Sequence, residues 1–144
     1  MVQTRDGYLW FGTFNGLVRF DGVAFTVFDL ANTPQLPSQA IVNLHADRRD
    51  QLWISTLKGL VMREGSTRRV FGTNEGWGLE HIWTLAERSN EDLLLTSATG
   101  QTLEFARDRL ALFLSLKTAR ATSGPGPRLA VYSASSRAAF GASA

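Results

Sequence analysis

The chain has 144 residues and no cysteine, so its length suits one ordinary domain, and disulfides and thiolate metal sites are excluded. Two histidines are too few for an all-histidine metal site, and we expect no metal and no other cofactor. The formal net charge is +2, but residues 1–116 carry 11 basic and 13 acidic side chains with the signs interspersed, which argues against nucleic-acid binding.

The first recognisable unit is RDGYLWFGTFNGLVRFDG, residues 5–22, which follows an N-terminus without the apolar core of a signal peptide. Its short apolar segments are separated by turn residues and predict β-strands. Asp6 and Gly7 form a hairpin signal, and Gly16 is expected to take a positive φ in a tight turn. No earlier strand is recognisable, so we expect the chain to begin at the second strand of a sheet.

The same pattern returns 43 positions later as RRDQLWISTLKGLVMREG, residues 48–65. Trp53 takes the place of Trp10, and Gly59 that of Gly16, with the same expected turn conformation. With its flanking residues, the second copy contains four apolar segments, AIVNLHA, QLWIST, LVMRE and RVFGT. Four short strands joined by tight turns make an up-and-down antiparallel sheet.

A third, weaker copy follows at an offset of 41, where Leu94 stands in the position of Trp53. Its last apolar run, LALFLSL, is far shorter than the ~20 residues that span a bilayer, so we expect no membrane segment in this chain. Of the 28 residues from 117 to 144, 18 are Ala, Ser, Gly or Pro, which predicts disorder. One hypothesis is a reading-frame shift near residue 117, which blade motifs in a neighbouring frame would support.

The segments YLWFGT and QLWIST are apolar at consecutive positions, which indicates a sheet with both faces covered. A four-stranded unit that recurs every 41 to 43 residues is typical of a β-propeller blade. The predicted fold is therefore all-β: an incomplete β-propeller of about two and a half four-stranded antiparallel blades. The predicted repeats lie near 3–40, 41–81 and 82–116, followed by the disordered tail 117–144. Trp10, Trp53 and Trp83 are predicted to be core residues, with Trp10 and Trp53 as wedges between blades.

The stretches DGYLWFGTFNGLVRFDG and LPSQAIVNLHADRRDQLWISTLKGL resemble the two-component regulator propeller repeat. The first copy matches its pattern at Gly7, Leu9, Trp10, Gly12, Thr13, Gly16 and Leu17. It has Thr4 in place of the leading aspartate, which the second copy keeps as Asp47. The second copy has Asp50 and Ser55 at two glycine positions. The resemblance covers about residues 3–113.

This resemblance implies a place in the extracytoplasmic sensor region of bacterial hybrid histidine kinases, whose ligands are often glycan fragments. It implies a periplasmic location for the parent protein. The expected partners are a glycan or other small ligand at the propeller rim, the remaining blades of a longer protein, or other copies of this chain. The favoured function is a fragment of a ligand-sensing propeller in two-component signal transduction. Because the chain carries no kinase motif, we do not expect it to be an enzyme.

Antiparallel topology places the loops before each first strand and the turns between second and third strands on one rim. Polar loop residues beside a stacking aromatic at such a rim suit a glycan ligand. Five candidate ligand-binding residues lie there: Asn15, Lys58, Glu75, Trp77 and His81. The alternative for each is a solvated loop residue, and for Trp77 a plug between blades, because Leu36 stands at that position in the previous copy.

Two other functional classes remain open at this point: a free-standing propeller-type interaction module, and part of a propeller lyase or hydrolase. We assign no catalytic residue, because Asp47, Asp50 and Glu75 lack the spacing of paired carboxylates and Ser55 lies inside a predicted strand. A stable homo-oligomer would favour the module. Aggregation of the isolated chain would favour a fragment, since a blade without a neighbour exposes an apolar face.

Overall fold

The computed structural model describes residues 1–72, 75 and 81–113, and the strands in it form three four-stranded antiparallel sheets. The first sheet contains β1 (Val2–Gln3), β2 (Leu9–Thr13), β3 (Gly16–Phe20) and β4 (Phe25–Phe28). The second contains β5 (Ile41–Ala46), β6 (Leu52–Thr56), β7 (Gly59–Glu64) and β8 (Thr67–Phe71). The third contains β9 (Ile82–Glu87), β10 (Leu93–Ser97), β11 (Thr102–Ala106) and β12 (Arg109–Phe113). The predicted tail, 117–144, lies outside the described residues.

Each sheet is one blade of an incomplete propeller. Strands pair in chain order within every blade, as the up-and-down pattern predicted. Between blades, β5 lies against β9 on one side and against β1 and β2 on the other. The blades therefore approach one another at their first strands and fan outward from there, as blades around a propeller axis do. We number the blades one to three in chain order.

The first blade is more complete than expected, because it has a short first strand. Val2 is the cross-strand partner of Trp10, and Gln3 that of Leu9. The expectation that the chain begins at a second strand is therefore wrong. Two residues are too few to show the alternation by which a strand is recognised in sequence, so only the pairing reveals it. The described chain contains three blades rather than two and a half.

The predicted wedges are found at both blade interfaces. Trp10 is fully buried and packs with Leu17 of its own blade against Leu52, Ile54 and Val61 of the second blade. All five residues of β6 are buried, so the middle blade is covered on both faces. Leu36, in the loop that leads to β5 and at the repeat position of Trp77, is buried in the same cluster between the blades.

The second interface is built around Trp53, which is also fully buried. Its ring centroid lies 5.7 Å from that of Phe71 and 4.7 Å from that of Phe105 in the third blade, the latter pair edge to face. Such aromatic pairs add about 0.5–1.5 kcal/mol each beyond the burial of their surface. Core packing is thus confirmed for Trp10 and Trp53.

The same prediction is wrong for Trp83, which is 59% exposed. Thr84 pairs with Thr96 and Ile82 pairs with Ser97, so Trp83 is the extra residue of a β-bulge and has no cross-strand partner. A bulge redirects its side chain away from the alternating pattern of the strand. Trp83 is therefore presented outward and not packed between blades.

Thr4 can replace the leading aspartate of the repeat because both side chains accept a hydrogen bond from the indole N–H of the blade's core tryptophan. Trp53 Nε1 donates a hydrogen bond to Asp47 Oδ2 at 2.8 Å, and Trp10 Nε1 donates one to Thr4 Oγ1 at 3.1 Å. A buried indole N–H needs such a partner. In the third blade the indole itself is absent, because Leu94 takes the tryptophan position.

Gly16 and Gly59, the two turn glycines, are required for different physical reasons. Gly16 has a φ of 146°, and a Cβ there would lie 2.7 Å from the carbonyl oxygen of Phe28. Gly59 does not have a positive φ, so the expectation for this residue is wrong. A Cβ on Gly59 would instead lie 3.0 Å from the ring of Pro37, which packs over the turn. The requirement there is close approach by a neighbouring loop.

Candidate functional site

The turns between second and third strands and the loops that enter each blade lie at one end of the sheets. The Leu57 N–H donates to the Ala40 carbonyl at 3.1 Å, and the Ala98 N–H donates to the His81 carbonyl at 3.2 Å. Each bond joins such a turn to the residue before the first strand of the same blade. We call this end, which carries Asn15, Lys58, Glu75 and His81, the turn rim.

Asn15 and Lys58 occupy equivalent turns in the first and second blades. The Thr13 hydroxyl accepts the Asn15 N–H at 3.1 Å and donates to the carbonyl of the next glycine at 2.8 Å. The Thr56 hydroxyl makes the same two bonds, at 3.2 Å to the Lys58 N–H and at 2.8 Å to the glycine carbonyl. The threonine thus fixes the turn, and both candidate side chains are exposed.

Glu75 has a structural role in its own loop. Its carboxylate accepts the Gly72 N–H at 2.8 Å, and its N–H donates to the Gly72 carbonyl at 3.1 Å. The residue is exposed. Trp77, the fifth candidate, lies outside the described residues.

His81 and Trp83 form the aromatic part of the turn rim. Their ring centroids are 5.6 Å apart with the planes tilted by 52°. The side-chain amide of Asn43 in β5 donates to the Trp83 carbonyl and so ties the second blade to the third at this point. An exposed indole beside an imidazole offers a stacking surface and a hydrogen-bonding group together. The sequence contains one signal for this: Trp83 aligns with Val42, which is not one of the core tryptophan positions.

The candidates are spread along the rim. Within residues 1–72, 75 and 81–113, His81 contacts Trp83, but no hydrogen bond or ion pair joins Asn15, Lys58, Glu75 and His81 to one another. They come from successive blades, so a ligand that touched them all would have to bridge the blades. Their role in ligand binding stays a prediction.

The described residues offer neither a metal cluster nor a membrane-spanning helix. They contain no group of three or more His, Asp or Glu side chains placed to hold a metal ion. In the same part of the chain, no helix has the length and apolar character needed to cross a membrane.

Comparison with known proteins places the fold. No protein family and no curated protein matches the chain. Among solved structures, the chain is similar to the extracellular domain of BT3049 from B. thetaiotaomicron, a protein assigned to the hybrid two component systems. The TM-score is 0.59 at 17% identity over 86% of this chain, which corresponds to 22% of that structure. The chain thus spans about a fifth of that domain and shares its fold.

Proposed function

We propose that this chain supplies three blades of a ligand-sensing propeller in the extracellular part of a bacterial two-component sensor. The observation that carries the proposal is the fold shared with the extracellular domain of BT3049 over 86% of this chain. The resemblance of the first two repeats to the two-component regulator propeller repeat supports it. The proposed role is ligand binding without catalysis.

The outer face of the first blade supports the presence of further blades. Its strands β2, β3 and β4 place six apolar residues on the side that faces away from the second blade: Leu9, Phe11, Val18, Phe20, Phe25 and Val27. Phe25 is 66% exposed and stacks on Phe20 with 4.6 Å between ring centroids. On the second blade, the equivalent face is covered by Trp10 and Leu17. A blade array buries such faces against neighbours.

Signal transfer in this proposal begins at the turn rim. A ligand that stacks on Trp83 and contacts side chains of neighbouring blades binds one arrangement of the propeller better than another. That difference in affinity shifts the equilibrium between receptor arrangements. A glycan is the ligand class that the resemblance implies.

The genomic sequence on both sides of this reading frame tests the proposal. We expect further blade motifs, followed by a membrane-spanning segment and kinase motifs. The proposal would be overturned if no reading frame of the flanking DNA encoded a blade motif.

Ligand binding at the turn rim is tested separately on the full chain. We expect members of an oligosaccharide panel to shift the indole resonance of Trp83, and Trp83→Ala to abolish binding. Leu112→Ala is the matched control, because Leu112 is 49% exposed on β12 in the same blade. Equal loss of binding in both variants would contradict a site at the turn rim.

A free-standing interaction module is the second candidate function, favoured by the same exposed apolar face. In that case the outer face of the first blade is covered by other copies of the chain. Size-exclusion chromatography with light scattering distinguishes the candidates. A single defined oligomer supports the module, whereas open-ended aggregation supports the fragment.

A further inference from the structure

Three arginines gather at the outer edge of the interface between the first and second blades. Arg19 lies in β3, near the end opposite the turn rim, and Arg63 and Arg68 lie in β7 and β8 of the second blade. Arg63 and Arg68 are direct cross-strand partners. Like charges in that relationship destabilise a sheet, so the arrangement requires a compensating interaction.

Aromatic rings supply part of that compensation. The Arg63 guanidinium carbon lies 4.9 Å from the Trp10 ring centroid, and that of Arg68 lies 5.9 Å from the Phe28 centroid. The Arg19 guanidinium stacks on Tyr8 at 4.5 Å and lies within 6.0 Å of the same two rings. Cation–π contacts hold the guanidinium groups in place but do not use their N–H donors as hydrogen bonds do.

Among the described residues, the three clustered arginines form no ion pair with a carboxylate, whereas several other arginines do. Within residues 1–72, 75 and 81–113, four ion pairs engage Arg48, Arg49, Arg69 and Arg88. None of these involves the three clustered arginines, and Arg19 Nε is buried without a hydrogen-bond partner in that part of the chain. A buried donor without an acceptor costs about 1–3 kcal/mol, more when it is charged. An unpaired guanidinium group of this kind indicates an acceptor supplied from outside.

We propose that Arg19, Arg63 and Arg68 form a binding site for an oxyanion, either a free inorganic anion or a phosphate or sulfate group of a larger ligand. The planar guanidinium fork matches the oxygens of such groups and can donate two hydrogen bonds to one anion. The site lies between two blades, so the bound anion links them. It is separate from the turn rim and does not depend on the proposed sensor function.

The electrostatics of Arg63 agree with this assignment. Burial lowers the pKa of its guanidinium, the charges of Arg68 and Arg19 act in the same direction, and Asp6 opposes them. A bound anion would offset the repulsion between the three positive charges. It would also supply an acceptor for the buried Arg19 Nε–H.

The test uses the full chain labelled with 15N, titrated with inorganic phosphate, inorganic sulfate or phenyl phosphate against sodium chloride at the same ionic strength. We expect a saturable shift of the Arg19 Nε–Hε resonance with the oxyanions and none with chloride. Tighter binding of phenyl phosphate indicates a ligand-borne group, and equal binding indicates a free anion. Shifts identical to those in chloride would overturn the proposal, and this readout needs no variant.

Two adjacent residues provide matched variants. Arg68→Gln removes one donor of the cluster and should weaken oxyanion binding by about tenfold, the equivalent of one charge-assisted hydrogen bond. Arg69→Gln is the control, because Arg69 lies on the opposite face of β8 and pairs with Asp108 at 2.7 Å. We expect it to leave the affinity within about twofold. Equal losses in both variants would show non-specific charge attraction and contradict a built site.

Discussion

The hydroxyl group of Ser55 forms two hydrogen bonds with the backbone of Ile82, donating to its carbonyl oxygen at 3.1 Å and accepting its N–H at 3.2 Å. Ser55 lies in β6 and Ile82 begins β9, so one side chain joins the second blade to the third through main-chain groups. Both residues are fully buried. Gly12 holds the same repeat position in the first blade, and there the neighbour is the side chain of Ile41. At this repeat position, hydrogen bonds join the second blade to the third, whereas close packing joins the first blade to the second.

Replacing Ser55 by alanine should destabilise the chain by about 2–4 kcal/mol, because a buried N–H and a buried carbonyl lose their partner together. Urea denaturation of the full chain measures the change. Ser66→Ala is the control, since Ser66 is exposed in the turn between β7 and β8 and should alter stability by less than about 0.5 kcal/mol. Equal stability of Ser55→Ala and the unaltered chain would contradict the role of this contact.

Gly12→Ala should also destabilise the chain, by about 1–3 kcal/mol, but through overpacking. The added Cβ would lie 2.7 Å from Cγ2 of Ile41. The double variant Gly12→Ala/Ile41→Leu removes that methyl group from the β-carbon and should recover part of the loss. A double-mutant cycle of denaturation midpoints detects this coupling. Additive effects would show that Ile41 is not the obstacle.

Asp50 holds the first two blades together from a strained backbone position. Its φ is 62°, and its Oδ1 accepts the Arg5 N–H at 2.8 Å. We expect Asp50→Ala to cost about 1 kcal/mol, because alanine tolerates this conformation poorly and has no acceptor. Asp50→Asn keeps an oxygen acceptor and tolerates the same φ, so it should cost less. Thermal unfolding of the two variants compares them, and the opposite order would refute the explanation.

The exposed face of the first blade should drive self-association. Phe25→Lys places a charge on this apolar surface and should reduce light scattering by the full chain without lowering the unfolding midpoint. Val23→Lys is the matched control, because Val23 is 92% exposed in the adjacent turn and outside that face. If both variants reduce scattering equally, net charge and not this face controls association.

The hairpin between β3 and β4 should lose stability in acid. Hydrogen bonds from the N–H groups of Ala24 and Val23 hold the pKa of the Asp21 carboxyl below its ordinary value of 3.8. Because the folded pKa is the lower one, the contribution of Asp21 is present above pH 3.8 and is lost as pH falls through the folded value. Carboxyl 13C shifts of Asp21 follow the titration. Asp21→Asn should remove this component of the pH dependence, and its persistence in that variant would assign it to another group.

The blade architecture could be predicted from the sequence, because strands and turns are each marked by residues that are close together in the chain. Turn residues and short apolar segments marked all four strands of the second blade, and the repeat transferred them to the other blades. The burial of Trp10 and Trp53 followed from the same recurrence. Strand β1 was missed because two residues carry no pattern.

Contacts between residues that are distant in sequence were decided only by the tertiary structure. The bulge that exposes Trp83 depends on the register between β9 and β10. The ring of Pro37 above Gly59 and the bond from Ser55 to Ile82 depend on how neighbouring loops and blades meet. The arginine cluster exists because β3 of one blade faces β7 and β8 of the next. Local propensity determines which residues form strands. Which side chains meet across an interface is determined by the angle and register at which two blades pack, and no single repeat contains that information.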